Sequence, residues 1–340
     1  MKFRNLIYCV TMILSTTKRT CESMAKIANK SGDYMLRTIG DDLIPPGVYV
    51  LLAKQFFGNR PLYLIIDDTL ISKIYSQKIE GTSDNYDSSR RQICRSLCIV
   101  VAMVTDGKRA LPIKFSTWIK KEMTDDYKTK SELALEIIMK VKKHLDINSV
   151  IMDGLYATQK NMLFFIKNKI NFEMRFHSNR RIKPESKDIT FSVKEYFLTK
   201  LNGKKKKRTI KAYCHGMFLF VTGLKRQMKN GEYSTVFQVS NCCIKARDHV
   251  KLYSYRWNIE KFFRTSKQHL GLNDCSSRKL AIQKNHIKHV FLSYISLQFE
   301  QKEKHFKNPE AAIKRFKNKN FNELINYLSC PRQIFGVVYA

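Results

Sequence analysis

The chain has 340 residues, room for one large domain or two ordinary ones, and its 44% hydrophobic content excludes a disordered chain. Lys and Arg number 62 against 29 Asp and Glu, a formal net charge of +33, which favours a polyanionic partner: nucleic acid first, an acidic membrane surface second. An AT-rich coding bias toward Lys, Asn and Ile contributes to the excess; no apolar run reaches the length of a membrane span.

The opening "MKFRNLIYCVTMILS" has the basic start and apolar run of a signal peptide, but "TTKRTCES" follows without a small-x-small cleavage site. Phe3, Leu6, Ile7, Val10, Ile13 and Leu14 recur at helical spacing, which predicts a soluble amphipathic helix. Thr20 is placed to cap a helix over "CESMAKIANK", Ser31-Gly32 to turn, and Asp33 to cap "YMLRTI". Three short helices with a Gly turn fit either a helix-turn-helix or a helical cap on the next domain. Residues 1–59 are therefore a helical N-terminal region and a candidate for DNA-end recognition.

From residue 61 the pattern becomes mixed α/β. "PLYLIIDDT" is a strand ending in two acids. "SLCIVVAMV" and "ALPIKFSTWI" flank the hairpin signal Thr105-Asp106-Gly107-Lys108. A helix follows from Ser131 through Leu145, then the strand "SVIMDG", the helix "TQKNMLFFIKNK" and the strand "NFEMRFH". Residues 181–245 read as an all-β insertion: "DITFSVKEYF", "KRTIKAYCHG", "MFLFVTGLKR" and "YSTVFQVS", separated by the turns "NGKKKKR" and "KNGE". From Asp248 the chain is helical to near residue 328, interrupted around Gly271 and Asn308-Pro309. His286 and His289, three apart on that helical stretch, read as surface residues. The nine cysteines, at 9, 21, 94, 98, 214, 242, 243, 275 and 330, lack CxxC spacing, which predicts free thiols rather than a zinc site.

Asp68 closes the first strand, with Asp67 beside it, and Asp153 closes "SVIMD". Either acid alone fits a helix cap or a turn. Together at strand ends in a basic chain they fit a Mg²⁺ site, since hard cations take carboxylate oxygens and two ions about 4 Å apart suit phosphoryl transfer. In "YSYRWNIEKFFRTSKQHLGL", Asp248 caps and Gly271 ends one helix. At about 100° per residue, Tyr253, Arg256, Glu260 and Lys267 fall within about 60° of arc, with Trp257 beside them. The plain alternative is a solvated face with an Arg256–Glu260 pair, which explains neither Tyr253 nor Lys267.

The Tyr-x2-Arg-x3-Glu-x6-Lys spacing resembles the YREK signature of DDE transposases of bacterial insertion sequences, the IS-four-like family, and all four residues are in register. "LIIDDT" resembles the first-acid motif, where the Asp before Thr is the ligand, selecting Asp68 over Asp67. "IMDGLY" resembles the second, selecting Asp153. The likeness covers residues 60–300; fewer residues precede the first motif than in many relatives. It implies a ribonuclease-H-like mixed-sheet core (60–180 and 246–300), a β-rich insertion (181–245) and a helical C-terminal tail (301–340). It implies Asp68, Asp153 and Glu260 as catalytic metal ligands for two Mg²⁺ ions, with Mn²⁺ as a substitute. It places Tyr253, Arg256 and Lys267 on DNA phosphates and Trp257 near a displaced base. The implied activity is binding of terminal inverted repeats, metal-dependent strand cleavage and strand transfer into double-stranded target DNA. The protein would act as a homodimer on DNA, without a membrane, in the bacterial cytoplasm and nucleoid. Two readings stand beside it: a ribonuclease-H-like structure-specific nuclease without joining, and a non-catalytic DNA-binding remnant.

Overall fold

A computed structural model describes residues 3–41, 44–45, 47–76, 78–201, 206–228 and 230–329. Four helices open the chain: α1 (Phe3–Leu14), α2 (Cys21–Ala28), α3 (Gly32–Gly40) and α4 (Val48–Phe57). Thr20 caps α2 as expected, in a reciprocal box with Ser23, and Asn29 closes it in the left-handed region. The cap of α3 is Ser31, whose side chain accepts from the Tyr34 N–H, and Asp33 lies inside the first turn instead. The apolar spacing of α1 holds, but Asn5 and Thr11 are buried too, so the expected solvent-facing stripe is enclosed by later helices.

The sheet is built from β1 (Leu62–Ser72), β2 (Ser83–Asp87), β3 (Gln92–Thr105), β4 (Ala110–Trp118), β5 (Ile147–Met152) and β6 (Phe172–Phe176), with α5 (Lys130–Lys142) before β5 and α6 (Gln159–Lys167) before β6. The order across the core is β4-β3-β1-β5-β6; β1, β5 and β6 are parallel, while β3 is antiparallel to β1 and β4. This is the α/β, ribonuclease-H-like mixed sheet that the sequence predicts. Runs such as Ile99–Val104 are buried on both faces, which is why these strands read as continuous apolar segments rather than alternating ones. The predicted hairpin joins β3 to β4: Asp106 accepts from the Lys108 and Arg109 N–H groups, and Gly107 takes φ +93°. α5 begins at Lys130 because Thr129 caps it in a box with Glu132.

Beyond β6 come β7 (Arg181–Pro184), β8 (Phe191–Ser192), α7 (Val193–Leu198), β9 (Lys207–Cys214), β10 (Met217–Gln227) and β11 (Tyr233–Ser240). The expected strand "DITFSVKEYF" is corrected: after two extended residues it becomes α7, because Ser192 and Glu195 form a capping box. The region is therefore β-rich but not all-β. It continues the core sheet, since β11 pairs with β6 and places Ser240 opposite Glu173; among the described residues the sheet has 11 strands. Parts of the turns "NGKKKKR" and "KNGE", residues 202–205 and 229, lie outside the described residues.

The last helices are α8 (Ala246–Ser254), α9 (Trp257–His269), α10 (Leu280–Glu303), α11 (Pro309–Lys317) and α12 (Phe321–Ser329). Asn308 caps α11, where Pro309 occupies a first-turn position. Of the expected helical tail, residues 330–340 lie outside the described residues. The surface placement of His286 and His289 is corrected. Both are buried on α10, which packs against α1, α3, α9, α11 and β4. His286 Nε2 donates to the Gly271 carbonyl at 2.8 Å while Nδ1 faces Tyr8 Oη at 3.0 Å; burial lowers its pKa to about 4. Among the described residues no helix is long and apolar enough to cross a membrane.

Candidate active site

β1 does not stop at its acids. β3 supports it as far as Ser72, opposite Ser96, whereas parallel pairing with β5 is last seen at Ile66 opposite Met152. One step further along each strand brings Asp67 level with Asp153. Successive strand residues point to opposite faces, so Asp67 and Asp68 look different ways. The hydrogen bonds show which way each goes.

The segment expected as one regular helix is two. Between α8 and α9 the Tyr255, Arg256, Asn258 and Ile259 N–H groups each bond three residues back, to Leu252, Tyr253, Tyr255 and Arg256. Such a tightened turn changes the angle between successive side chains from the 100° assumed above. It sets Tyr253 and Arg256 over the ends of β1 and β5. Tyr253 Oη donates to Asp153 Oδ1 at 3.2 Å. Arg256 Nη1 donates to Asp67 Oδ2 at 2.7 Å, and its Nη2 to Glu260 Oε1. One guanidinium thus bridges an acid of β1 and the acid of α9. These side chains are reachable: Asp67, Arg256 and Glu260 keep 16%, 19% and 31% exposure.

Burial raises the Asp67 carboxyl to about 7; Arg256 opposes the shift, and Asp68 and Asp153 add to it. Burial also pushes the Tyr253 phenol up, against Arg256 and with Asp153. For Arg256 itself burial works against the charge, but Asp67, Tyr253, Asp153 and Glu260 outweigh it and hold the pKa above its usual value.

Asp68 is elsewhere. Its Oδ2 accepts from Lys130 Nζ at 2.6 Å and lies 3.8 Å from Cys98 Sγ; its Oδ1 accepts from Tyr156 Oη at 3.3 Å. Lys130 also stacks over Trp118, 5.3 Å from the ring centroid. The structure therefore does not bring Asp68 together with Asp153 and Glu260; the acid it brings there is Asp67. The sequence could not separate them, because the choice depends on the register of β1 against β5. Lys130 carried no signal, while Tyr156 is the aromatic of "IMDGLY".

Lys267, two turns beyond Glu260, lines a recess of about 360 Å³ with Asp68, Lys130, Trp118 and Asp87. Burial lowers its pKa and Asp87 opposes the change. Trp257 is 58% exposed beside Arg256. The cysteines among the described residues are all free.

Among the described residues no three His, Cys, Asp or Glu side chains are already arranged around an ion position. The donor set nevertheless suits one. Asp67, Asp153 and Glu260 offer only hard oxygen ligands, as Mg²⁺ and Mn²⁺ require, and a cationic guanidinium already lies between two of the three.

A search of curated proteins finds no match. The family described as transposase DDE domain matches residues 59–296, which contain the whole sheet, the acids and the bridging arginine, and the chain belongs to that family.

Proposed function

We propose that the protein is an insertion-sequence transposase of the YREK type that cleaves element ends and joins them to target DNA. The observation that carries this reading is the cluster at the ends of β1 and β5, where Arg256 bridges Asp67 and Glu260 while Tyr253 holds Asp153. Family membership supports a transposase that binds DNA and uses divalent metal. The finer assignments are our own.

Asp67, Asp153 and Glu260 would hold two Mg²⁺ ions, with Asp68 replaced by Asp67 in the triad. The ions would supply charge stabilisation of the phosphoryl centre and activation of its nucleophile. Arg256 releases the two carboxylates and turns its planar fork to a DNA phosphate, a match for its bidentate geometry. Lys267 contacts a second phosphate further along α9, and Tyr253 orients Asp153. The exposed Trp257 indole stacks on a displaced base. Asp68, neutralised by Lys130 and held by Tyr156, fixes the strand that carries Asp67.

In the first step water attacks phosphorus and the P–O3′ bond breaks, leaving a 3′-OH on the element and a phosphate on the flank; the attacking water gives a proton to solvent and the departing O3′ takes one up. In the second the freed 3′-OH loses its proton and attacks a target phosphodiester, a new 3′-O–P bond forms, the target's P–O3′ bond breaks and the target's departing O3′ takes up a proton. A homodimer on the paired inverted repeats would bring two such centres to the target, in the bacterial nucleoid. α1 and α3 pack against α10, α2 packs on both of them, and the three remain the proposed end-recognition region.

The test is joining of a terminal duplex, labelled at the 5′ end of the strand that is cut and transferred, into supercoiled plasmid with Mg²⁺. Labelled plasmid is the expected product. Cleavage without joined product would support a structure-specific nuclease, and DNA binding without cleavage would support a non-catalytic remnant.

A further inference from the structure

Past β6, on the far side of β5 from β1 in the strand order, lies an open recess of about 460 Å³, lined by His177, Asn179, Arg180, Arg181 and His215. None of these side chains is acidic, and all carry N–H groups able to donate. His177 follows the end of β6, Arg180 and Arg181 enter β7, and His215 sits in the β9–β10 turn at φ +50°. Two segments far apart in the chain, the β6–β7 loop and the β9–β10 turn, thus bring two arginines and two histidines to one hollow.

The two arginines are sparsely engaged. Arg180 Nη2 donates to the Ala157 carbonyl at 3.2 Å and Arg181 Nη2 to the Thr190 carbonyl at 3.3 Å. Among the described residues neither makes an ion pair with a carboxylate within salt-bridge distance. Glu195, whose carboxylate feels Arg181, is bonded back to the Ser192 N–H at 2.8 Å. Most guanidinium donors therefore remain for a ligand.

The recess adjoins the turn that follows Asp153. Asp153 leads into a single tight turn, Gly154–Tyr156, and Ala157, which holds Arg180, ends it. A Cβ placed on Gly154 would come within 3.1 Å of His177 Nε2, so the imidazole lies against the backbone one residue past Asp153.

We infer that this recess is a phosphate subsite that grips the DNA backbone beside the scissile phosphate, on the β7–β11 side of the cluster. The inference rests on the transposase reading and adds residues that the signature does not contain. The ligand class is a phosphodiester: planar guanidinium forks match its oxygens in pairs, and each phosphate neutralised releases counterions. With Lys267 on the other side of the acids, the backbone would be held on both flanks of the cut.

The experiment is fluorescence anisotropy with a fluorescein-labelled random-sequence duplex in EDTA at several salt concentrations. Arg180→Ala/Arg181→Ala is compared with Lys183→Ala/Lys187→Ala, which removes two cations of the same segment outside the recess. The arginine pair should flatten the slope of log K against log salt by about one to two units, at about 0.9 per phosphate, and the lysine pair should flatten it less. His215→Asp provides a variant that keeps the fold, because Asp tolerates the left-handed backbone there; it should weaken binding at low salt. Wild-type slopes in both the arginine pair and His215→Asp would overturn the subsite and leave the transposase reading intact. Absence of salt-dependent DNA binding by wild type would overturn the reading and the subsite together. Inorganic phosphate shifting the His215 ring resonances, while the arginine pair binds DNA like wild type, would assign the recess to a free anion and overturn the proposal.

Discussion

Two carboxyls of one sheet, Asp67 on β1 and Glu173 on β6, are both raised to about 7 by burial, yet their surroundings differ in kind. Glu173 is sealed. Its side chain and that of His249 are 0% exposed, and Glu173 Oε2 meets His249 Nδ1 at 2.7 Å. That pair joins α8 to β6 and so sets where Tyr253 and Arg256 emerge. Asp67 keeps 16% exposure, and its partner Arg256 is shared with Glu260. A raised carboxyl therefore does not distinguish structure from chemistry here. The distinction is a partner that can be exchanged for a ligand.

The largest expected effect comes from the neighbouring acids of β1. Asp67→Asn should reduce Mg²⁺-dependent nicking of labelled end DNA by more than about a thousandfold, as loss of a metal ligand would. Asp68→Asn should remain within about tenfold of wild type, because its partners are Lys130 and Tyr156. Reversed losses, with both variants folded, would break the assignment of Asp67 to the reactive side.

Arg256→Ala sharpens the idea of an exchangeable partner. Without DNA, Mn²⁺ measured by calorimetry should bind more tightly, by about 5- to 100-fold if the coupling is of ordinary size, since the cation that competes for Asp67 and Glu260 is gone. DNA binding in EDTA should weaken at the same time. Weaker binding of both ligands would mean that Arg256 supports the site rather than competing for it.

The sealed pair should respond in stability. His249→Ala leaves a buried acid without its partner and should cost about 3 kcal/mol in urea unfolding. Nicking per folded molecule should fall less than for Asp67→Asn, because the acids themselves are intact.

The smallest effect is one of pH. Glu173 has a folded pKa of about 7 against a reference of 4.5, so the unfolded chain releases this proton first. Folded protein then binds more protons between those values, and this group's contribution makes stability fall as pH rises from about 4.5 to 7. Glu173→Gln should remove that component, at most about 3 kcal/mol, and leave the protein relatively more stable at neutral pH. An unchanged difference between acid and neutral pH would show that Glu173 does not titrate in this window.

Sequence by itself determined what depends on local order. The apolar runs of β1, β3 and β5 declare strands buried on both faces, the turn at Asp106-Gly107 declares its hairpin, and Thr20 declares a helix cap. The spacing from Tyr253 to Lys267 and the acids at 68 and 153 led to a DDE transposase, and the transposase DDE domain family matches the chain. Tertiary structure decided the rest. Which of Asp67 and Asp68 faces Arg256 depends on which face of β1 meets the α8–α9 turn, and there Asp67 bonds Arg256 while Asp68 bonds Lys130. The tightened turn at 252–259 sets Arg256 over Asp67 of β1, a contact that helical spacing does not contain, beside the Glu260 pair that it does. His286 and His289 are polar residues in an enclosed helix, legible only once α1 is seen packed on α10. Local patterns fix backbone periodicity because they act over a few residues, whereas the partners of Asp67 and Asp68 come from segments 189 and 62 residues away in the chain.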